Sequence, residues 1–151
     1  MTHCSTCDLI RRRDANLAPL WDNIYRTQYW DVAHCNSTDL YGWLVLVARR
    51  HIAALDELTE DEAIEQGSLI RQLSIILKEF TGCLKTYVIQ FAEHPDHQHV
   101  HFHIVPRMSD LPADQRGPGI FKHLGVPAEQ RVSETAMNAL ALEIRRHLVQ
   151  M

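Results

Sequence analysis

The order of apolar and polar residues along the chain predicts several strands and one long helix. Residues 22–34 and 42–47 are rich in β-branched and aromatic residues typical of strands, and residues 36–39 between them have turn chemistry. Residues 85–92 predict a third strand, and residues 99–105 alternate almost perfectly up to Pro106. The first eight residues are predicted to form a loop.

Two helices are predicted. Thr59 and Glu62 form a capping box, after which apolar residues recur every three or four positions until Thr81 and Gly82. A closing helix is predicted to begin near Ser133, with one apolar stripe formed by Met137, Leu140, Ile144 and Leu148. Strands combined with one long helix and a closing helix predict an α+β fold with a mainly antiparallel sheet.

Composition narrows the class of protein. A chain of 151 residues with 46% hydrophobic and 23% charged residues is one globular domain's worth of material. The net charge of −4 argues against a nucleic-acid partner. There is no apolar run of membrane-spanning length and no visible secretory signal, so we expect no membrane partner and a cytoplasmic location. The arginine runs at 11–13 and 49–50 are predicted to be solvated.

Histidines dominate the last predicted strand. Because side chains on a strand alternate between faces, His99, His101 and His103 are predicted to share one face. The opposite face, predicted to pack beneath the long helix, carries Val100, Phe102 and Ile104. The imidazole row is open to three interpretations: a His-rich exposed face, a set of metal ligands, or a row with at least one catalytic imidazole.

The pair Cys4-x-x-Cys7 is ambiguous by itself. A thioredoxin-like redox pair should lie between a strand and a helix, whereas this pair lies at the N-terminus. A lone disulfide would close a very tight loop in a chain that shows no sign of export. Zinc needs four nitrogen or sulfur ligands, of which this pair supplies two.

The histidine segment resembles the signature of the histidine triad (HIT) superfamily of nucleotide hydrolases and transferases. Residues 99–107, ending in Pro106 and Arg107, are similar to the bacterial Hint/Fhit-like branch, and so is the strand that ends in a basic pair and His51. The resemblance implies a HIT-like fold in which residues 1–107 form the HIT domain with an N-terminal zinc-binding loop. Residues 108–151 are then an extension with a terminal helix, packed on the same domain.

The resemblance also implies roles for single residues. His101 would be the nucleophile that attacks the α-phosphorus of a nucleotide, and His103 would donate to the phosphate and the leaving group. The attacking nitrogen of His101 must be unprotonated, which a backbone carbonyl accepting from the other ring nitrogen would enforce. A structural Zn²⁺ is implied at Cys4, Cys7, His51 and His99, with His3 as an alternative ligand.

The substrate contacts predicted from the resemblance are Gln90, Asn36, His97 and Arg107. Asn36 stands beside Cys35, where an aspartate is common in the family. Residues 93–98 depart from the family's Gly-Gln-Ser/Thr stretch and put Asp96 where the hydroxyl would be. Since a carboxylate repels phosphate, either Asp96 turns away or His94 and His97 compensate.

The leading hypothesis is an enzyme that cleaves at the α-phosphate of a purine nucleotide conjugate, either a dinucleoside polyphosphate or a nucleoside phosphoramidate, through a nucleotidyl-histidine. One alternative is a nucleotide-binding or sensing protein with little catalysis. A second alternative is a zinc-dependent hydrolase with a catalytic metal. The resemblance further implies a homodimer.

Overall fold

One antiparallel sheet of five strands organises the chain, and the computed structural model describes residues 3–150. The strand order is β1-β2-β3-β5-β4. The strands are β1 (Tyr25–Arg26), β2 (Trp30–His34), β3 (Leu44–Ala48), β4 (Lys85–Ile89) and β5 (His101–Arg107). The helices are α1 (Ser5–Asp14), α2 (Glu60–Thr81) and α3 (Glu134–Gln150). The predicted α+β fold with a mainly antiparallel sheet is confirmed.

The long helix α2 covers one face of the sheet. Its predicted capping box is present: the Glu62 amide donates to Thr59 Oγ1 at 3.1 Å, and the Thr59 amide donates to Glu62 Oε1 at 2.9 Å. The helix ends at Thr81 and is capped by Gly82, which has the left-handed φ of 70° that glycine adopts readily. Its buried residues pack on the face formed by Val100, Phe102 and Ile104, as predicted.

The closing helix α3 shares this core. Leu140, Ile144 and Leu148 belong to the same buried cluster as α2 and the sheet. The Arg145 guanidinium donates to the carbonyl of Ile24 at 2.6 Å. The chain after residue 107 therefore packs into one core with the part before it. Within residues 3–150, none of the helices is long and apolar enough to cross a bilayer.

The predicted N-terminal loop is wrong, because α1 begins at Ser5. Cys4 caps this helix, and its Sγ accepts from the Cys7 amide at 3.4 Å. The Ser5 amide donates to the carbonyl of Asp96 at 2.8 Å, which joins the start of α1 to the segment before β5. Contacts this distant in sequence leave no local pattern.

The single strand predicted over residues 22–34 is a hairpin. Thr27 Oγ1 accepts from the amides of Tyr29 and Trp30 at 3.2 and 2.9 Å, which closes a tight turn between β1 and β2.

The histidine strand is shifted by two residues from its prediction. It begins at His101 and runs through Pro106, which pairs with Thr86 of β4. Pairing with β3 ends at Leu44 and Ile104, so Pro106 needs no amide hydrogen on that side. His99 therefore precedes the regular strand.

Candidate active site and metal centre

A cavity of about 570 Å³ lies on the sheet face opposite α2. Val47 and Val45 of β3 pair directly with His101 and His103 of β5, so these four side chains share its floor. Side chains of α1 and of the segment Gly117–His123 close it from above, among them Leu9 and Phe121. Its size is that of a site for a small organic ligand.

A hydrogen bond to the main chain fixes the tautomer of the neutral His101 ring. Its Nδ1 lies 2.7 Å from the carbonyl oxygen of His99. A carbonyl can only accept, so Nδ1 carries the hydrogen and Nε2 of the neutral ring keeps a lone pair. This is the hydrogen bond that the resemblance implies, and it leaves His101 suited to nucleophilic attack.

His103 has the opposite tautomer. The Trp43 indole N–H donates to His103 Nδ1 at 3.0 Å. Because an indole can only donate, the hydrogen of the neutral His103 ring lies on Nε2. Burial, assisted by the nearby His101, lowers the pKa of His103 to about 4. His103 is therefore a neutral hydrogen-bond donor at pH 7, with its ring centroid 5.0 Å from that of His101.

Four predicted ligands converge beside the cavity. The ligand atoms of Cys4, Cys7, His51 and His99 all lie within 4.8 Å of one another. Three S···N distances are 3.3, 3.6 and 3.6 Å, and the two histidine Nδ1 atoms are 3.1 Å apart. A tetrahedral zinc ion with ordinary bond lengths requires about 3.6 Å and about 3.3 Å for these separations. The residues present therefore fit a Cys₂His₂ zinc site.

The ring of His99 is oriented for metal binding. Its Nε2 donates to the carbonyl of Ala48 at 2.6 Å, so Nδ1 faces the other three ligands with a lone pair. Burial and the adjacent Cys4 raise the pKa of the Cys7 thiol to about 11, which a divalent cation would reverse. His3 pairs with Asp8 at 2.9 Å, so the structure does not favour it as the alternative ligand.

Comparison with known proteins rests on structure. No protein-family model matches the chain, and no curated protein matches it. A histidine triad protein from Marinobacter aquaeolei is 22% identical, with a TM-score of 0.66 over 93% of this chain and 94% of its own. A Zn-bound histidine triad family protein from Mycobacterium smegmatis is 14% identical, with a TM-score of 0.64 over 97% and 94%. This chain has the histidine triad fold.

A third similar structure is the diadenosine triphosphate hydrolase of Plasmodium falciparum, which is 18% identical. It has a TM-score of 0.59 and covers 84% of this chain and 76% of its own. These likenesses establish the histidine triad fold alone.

Two histidines and one hydroxyl complete the rim of the cavity. His94 and His97 line the cavity, whereas Asp96 does not. The Asp96 carbonyl instead accepts from Ser5. Thr6 Oγ1, contributed by α1, lies 2.8 Å from His97 Nδ1 and also lines the cavity. Sequence reasoning missed Thr6, because a predicted loop gave no reason to place it near the histidines.

Of the other predicted substrate contacts, one lines the cavity and two do not. Asn36 lies in the cavity wall, next to Cys35. The structure does not bring Gln90 or Arg107 into that wall: Gln90 keeps a buried Oε1 without a hydrogen-bond partner. Arg107 lies at the far end of β5, about 20 Å along the strand from His101, and donates to the Met108 carbonyl at 2.9 Å.

One arginine predicted to be solvated is buried in the cavity wall. The Arg13 guanidinium is 2% exposed and contacts Asp22 at 2.8 Å and Asp31 at 3.3 Å. Burial raises the pKa of Asp22 despite this contact. The prediction fails because solvation depends on where α1 docks, and the arginine run alone does not reveal it.

Proposed function

We propose that this protein is a nucleotide hydrolase or nucleotidyl transferase that cleaves at the α-phosphate of a purine nucleotide conjugate. The observation that supports this most strongly is the hydrogen bond from His101 Nδ1 to the His99 carbonyl, which leaves Nε2 free in a nucleotide-sized cavity. The diadenosine triphosphate hydrolase among the similar folds has an activity of this kind. Dinucleoside polyphosphates and nucleoside phosphoramidates are the candidate substrates.

The proposed reaction has two steps. His101 Nε2 attacks the α-phosphorus, a P–N bond forms, and the leaving group departs with the electron pair of the broken bond. Nδ1–H keeps its hydrogen bond to the His99 carbonyl while the ring becomes positively charged. Water then attacks phosphorus, the P–N bond breaks, and the water proton passes to solvent. An alcohol or phosphate acceptor in place of water would make the protein a transferase.

The lining of the cavity offers groups that suit the parts of a nucleotide. Leu9 and Trp21 offer apolar surface for a base. Asn36 and Ser37 are polar lining residues and would contact the sugar. The phosphate would lie between His101, His97 and Thr6 at the histidine end.

Zinc is proposed as a structural ion held by Cys4, Cys7, His51 and His99. These ligands fill all four positions of a tetrahedral site, so the bound ion would have no open position for water. It would neutralise two thiolates and fix α1 to the residue that precedes the histidine strand. This geometry speaks against the alternative of a catalytic metal.

A homodimer is the proposed assembly. β4 is the last strand in the sheet order, so its outer edge has no strand partner among residues 3–150. Two exposed apolar side chains belong to this strand or adjoin it, namely Val88 in β4 and Leu84 just before it. Unpaired strand edges with apolar surroundings favour pairing with another chain, here a second copy.

Replacement of His101 by Ala tests the proposed function. We expect turnover of a dinucleoside polyphosphate to fall at least about a thousandfold, because the nucleophile is gone. Binding of adenosine monophosphate, measured by calorimetry, should persist. His147→Ala is a matched control, since His147 lies on α3 and donates to the carbonyl of Glu143 at 2.8 Å.

Two outcomes would contradict the proposal. Undiminished turnover by the His101→Ala variant would remove His101 from the reaction. Nucleotide binding by the natural protein without product from either conjugate class would instead support a sensing protein with little catalysis.

A further inference from the structure

We propose that Trp43 holds His103 as a neutral Nε2–H donor, and that the site thereby selects conjugates whose leaving group departs as an oxyanion. This inference rests on the proposed attack by His101. It narrows the substrate class to phosphate-linked conjugates and assigns Trp43 as a positioning residue that acts through His103.

The hydrogen bond between the two rings excludes the other tautomer. Trp43 is fully buried, and its indole N–H points at His103 Nδ1 from 3.0 Å. A hydrogen on Nδ1 would oppose the indole hydrogen, and a buried donor without an acceptor is costly. The phenyl ring of Phe121 meets both rings edge to face, with centroids 5.6–6.0 Å apart for the three pairs. The indole therefore has little freedom to turn away.

The surroundings of His103 also disfavour its charged form. Its partners across the sheet are Val45 and Ile89, and Phe121 packs against its ring. His101 is the titratable group beside it, and a positive charge there opposes a second one. Neither strand next to His103 offers a carboxylate at its paired position. The lowered pKa of His103 agrees with this geometry.

A neutral Nε2–H donor favours one kind of bond cleavage. When a P–O–P link breaks, the bridging oxygen takes the electron pair and leaves as a phosphate oxyanion, which needs no proton. The His103 Nε2–H can stabilise that charge as a hydrogen-bond donor. An amine must gain a proton as its P–N bond breaks, and a neutral imidazole is too weak an acid to supply it.

The tautomer is measurable without any substrate. Nitrogen-15 NMR of the ring nitrogens should show His103 protonated at Nε2 and unprotonated at Nδ1 from pH 5 to 8. In the Trp43→Phe variant, a population protonated at Nδ1 should appear. A natural protein with Nδ1 of His103 protonated at pH 7 would overturn the role of Trp43, and this measurement requires no variant to fold.

Leaving-group selection is measured by competition between two substrates. We expect kcat/KM for diadenosine triphosphate to exceed that for an adenosine phosphoramidate by about 100-fold or more, the usual size of a general-acid contribution. In Trp43→Phe this ratio should narrow by about tenfold, mainly through a lower kcat for diadenosine triphosphate, because His103 protonated at Nδ1 has no Nε2 hydrogen to donate to the leaving oxygen.

Trp30→Phe is the matched control. Trp30 is equally buried, and its indole donates to the carbonyl of Glu62 at 3.0 Å on the other side of the sheet. Its substitution should leave the ratio unchanged. Equal rates for the two conjugates in the natural protein would overturn leaving-group selection while the proposed function stands. Failure to turn over either conjugate would overturn both, and the NMR result would still report on Trp43 alone.

Discussion

Arg13 shows how one side chain joins the wall of the cavity to the sheet. Its guanidinium donates to the Asp22 carbonyl at 2.6 Å as well as to the carboxylates of Asp22 and Asp31. Asp31 also accepts from Arg26 at 2.7 Å. Loss of Arg13 would remove the cation that contacts Asp22. This loss would be costly because both carboxylates are largely shielded from water.

Replacing Arg13 by Met should lower the free energy of unfolding by about 3–5 kcal/mol, the usual cost of removing one partner of a buried ion pair. Urea denaturation followed by fluorescence measures this. Arg12→Met is the control from the same arginine run: Arg12 is exposed, and we expect a change within about 0.5 kcal/mol. Equal effects of the two variants would show that the buried pairs contribute no special stability.

The residues that sequence reasoning placed correctly carried their own local signals. The alternation around His101 indicated its face, and the spacing of Thr59 and Glu62 indicated a helix start. Arg13 and Trp43 had no such signal, because their partners lie 9 to 60 residues away. Nothing local distinguishes Arg13 from Arg12 beside it.

At the scale of elements, α2 could be predicted from the sequence and α1 could not, because only α2 has local sequence signals. The capping box and the apolar periodicity of α2 both lie within the helix and the residue before it. α1 has few apolar residues, and its position depends on the cysteines, on Asp96 and on His97. Its first residues, up to Asp8, are predicted to form a loop, although the helix contributes to the wall of the cavity. β5 also extends past its predicted end at Val105, because its pairing with β3 stops at Ile104 and Pro106 needs no amide hydrogen on that side.

Metal removal should therefore act through α1. We expect Cys7→Ser to lose bound zinc, measured by atomic absorption, and to lower Tm by about 10 °C, which corresponds to roughly 3 kcal/mol. KM for nucleotide should rise, because Thr6, Leu9 and Arg13 of the cavity wall are carried by this helix. Cys83→Ala, at a buried cysteine outside the ligand cluster, should keep its zinc.

The time course of chelation separates the two possible roles of the metal. If the ion is structural, we expect a chelator to abolish activity slowly, in step with the loss of near-UV circular dichroism. Immediate loss of activity with unchanged dichroism and Tm would contradict this and favour a catalytic metal.

At the scale of the whole molecule, the outer edge of β4 has no strand partner among residues 3–150. We expect light scattering to show a dimer, and Val88→Lys to shift it toward monomer, because a buried lysine at the interface would lack a partner. Leu17→Lys is the control, since Leu17 is 70% exposed and lies outside the sheet. A monomeric natural protein, or a dimer indifferent to Val88→Lys, would rule out this edge as the interface.

His99 uses three separate atoms for three tasks. Its Nδ1 faces the ligand cluster, its Nε2 holds the Ala48 carbonyl, and its own carbonyl sets the tautomer of His101. An engineer seeking a metal-independent version could exchange both cysteines for a packed apolar pair, yet position 99 would still demand a side chain that donates to Ala48. Glutamine is the natural first choice for such a redesign, because its amide offers a donor while the main-chain oxygen stays where the nucleophile needs it.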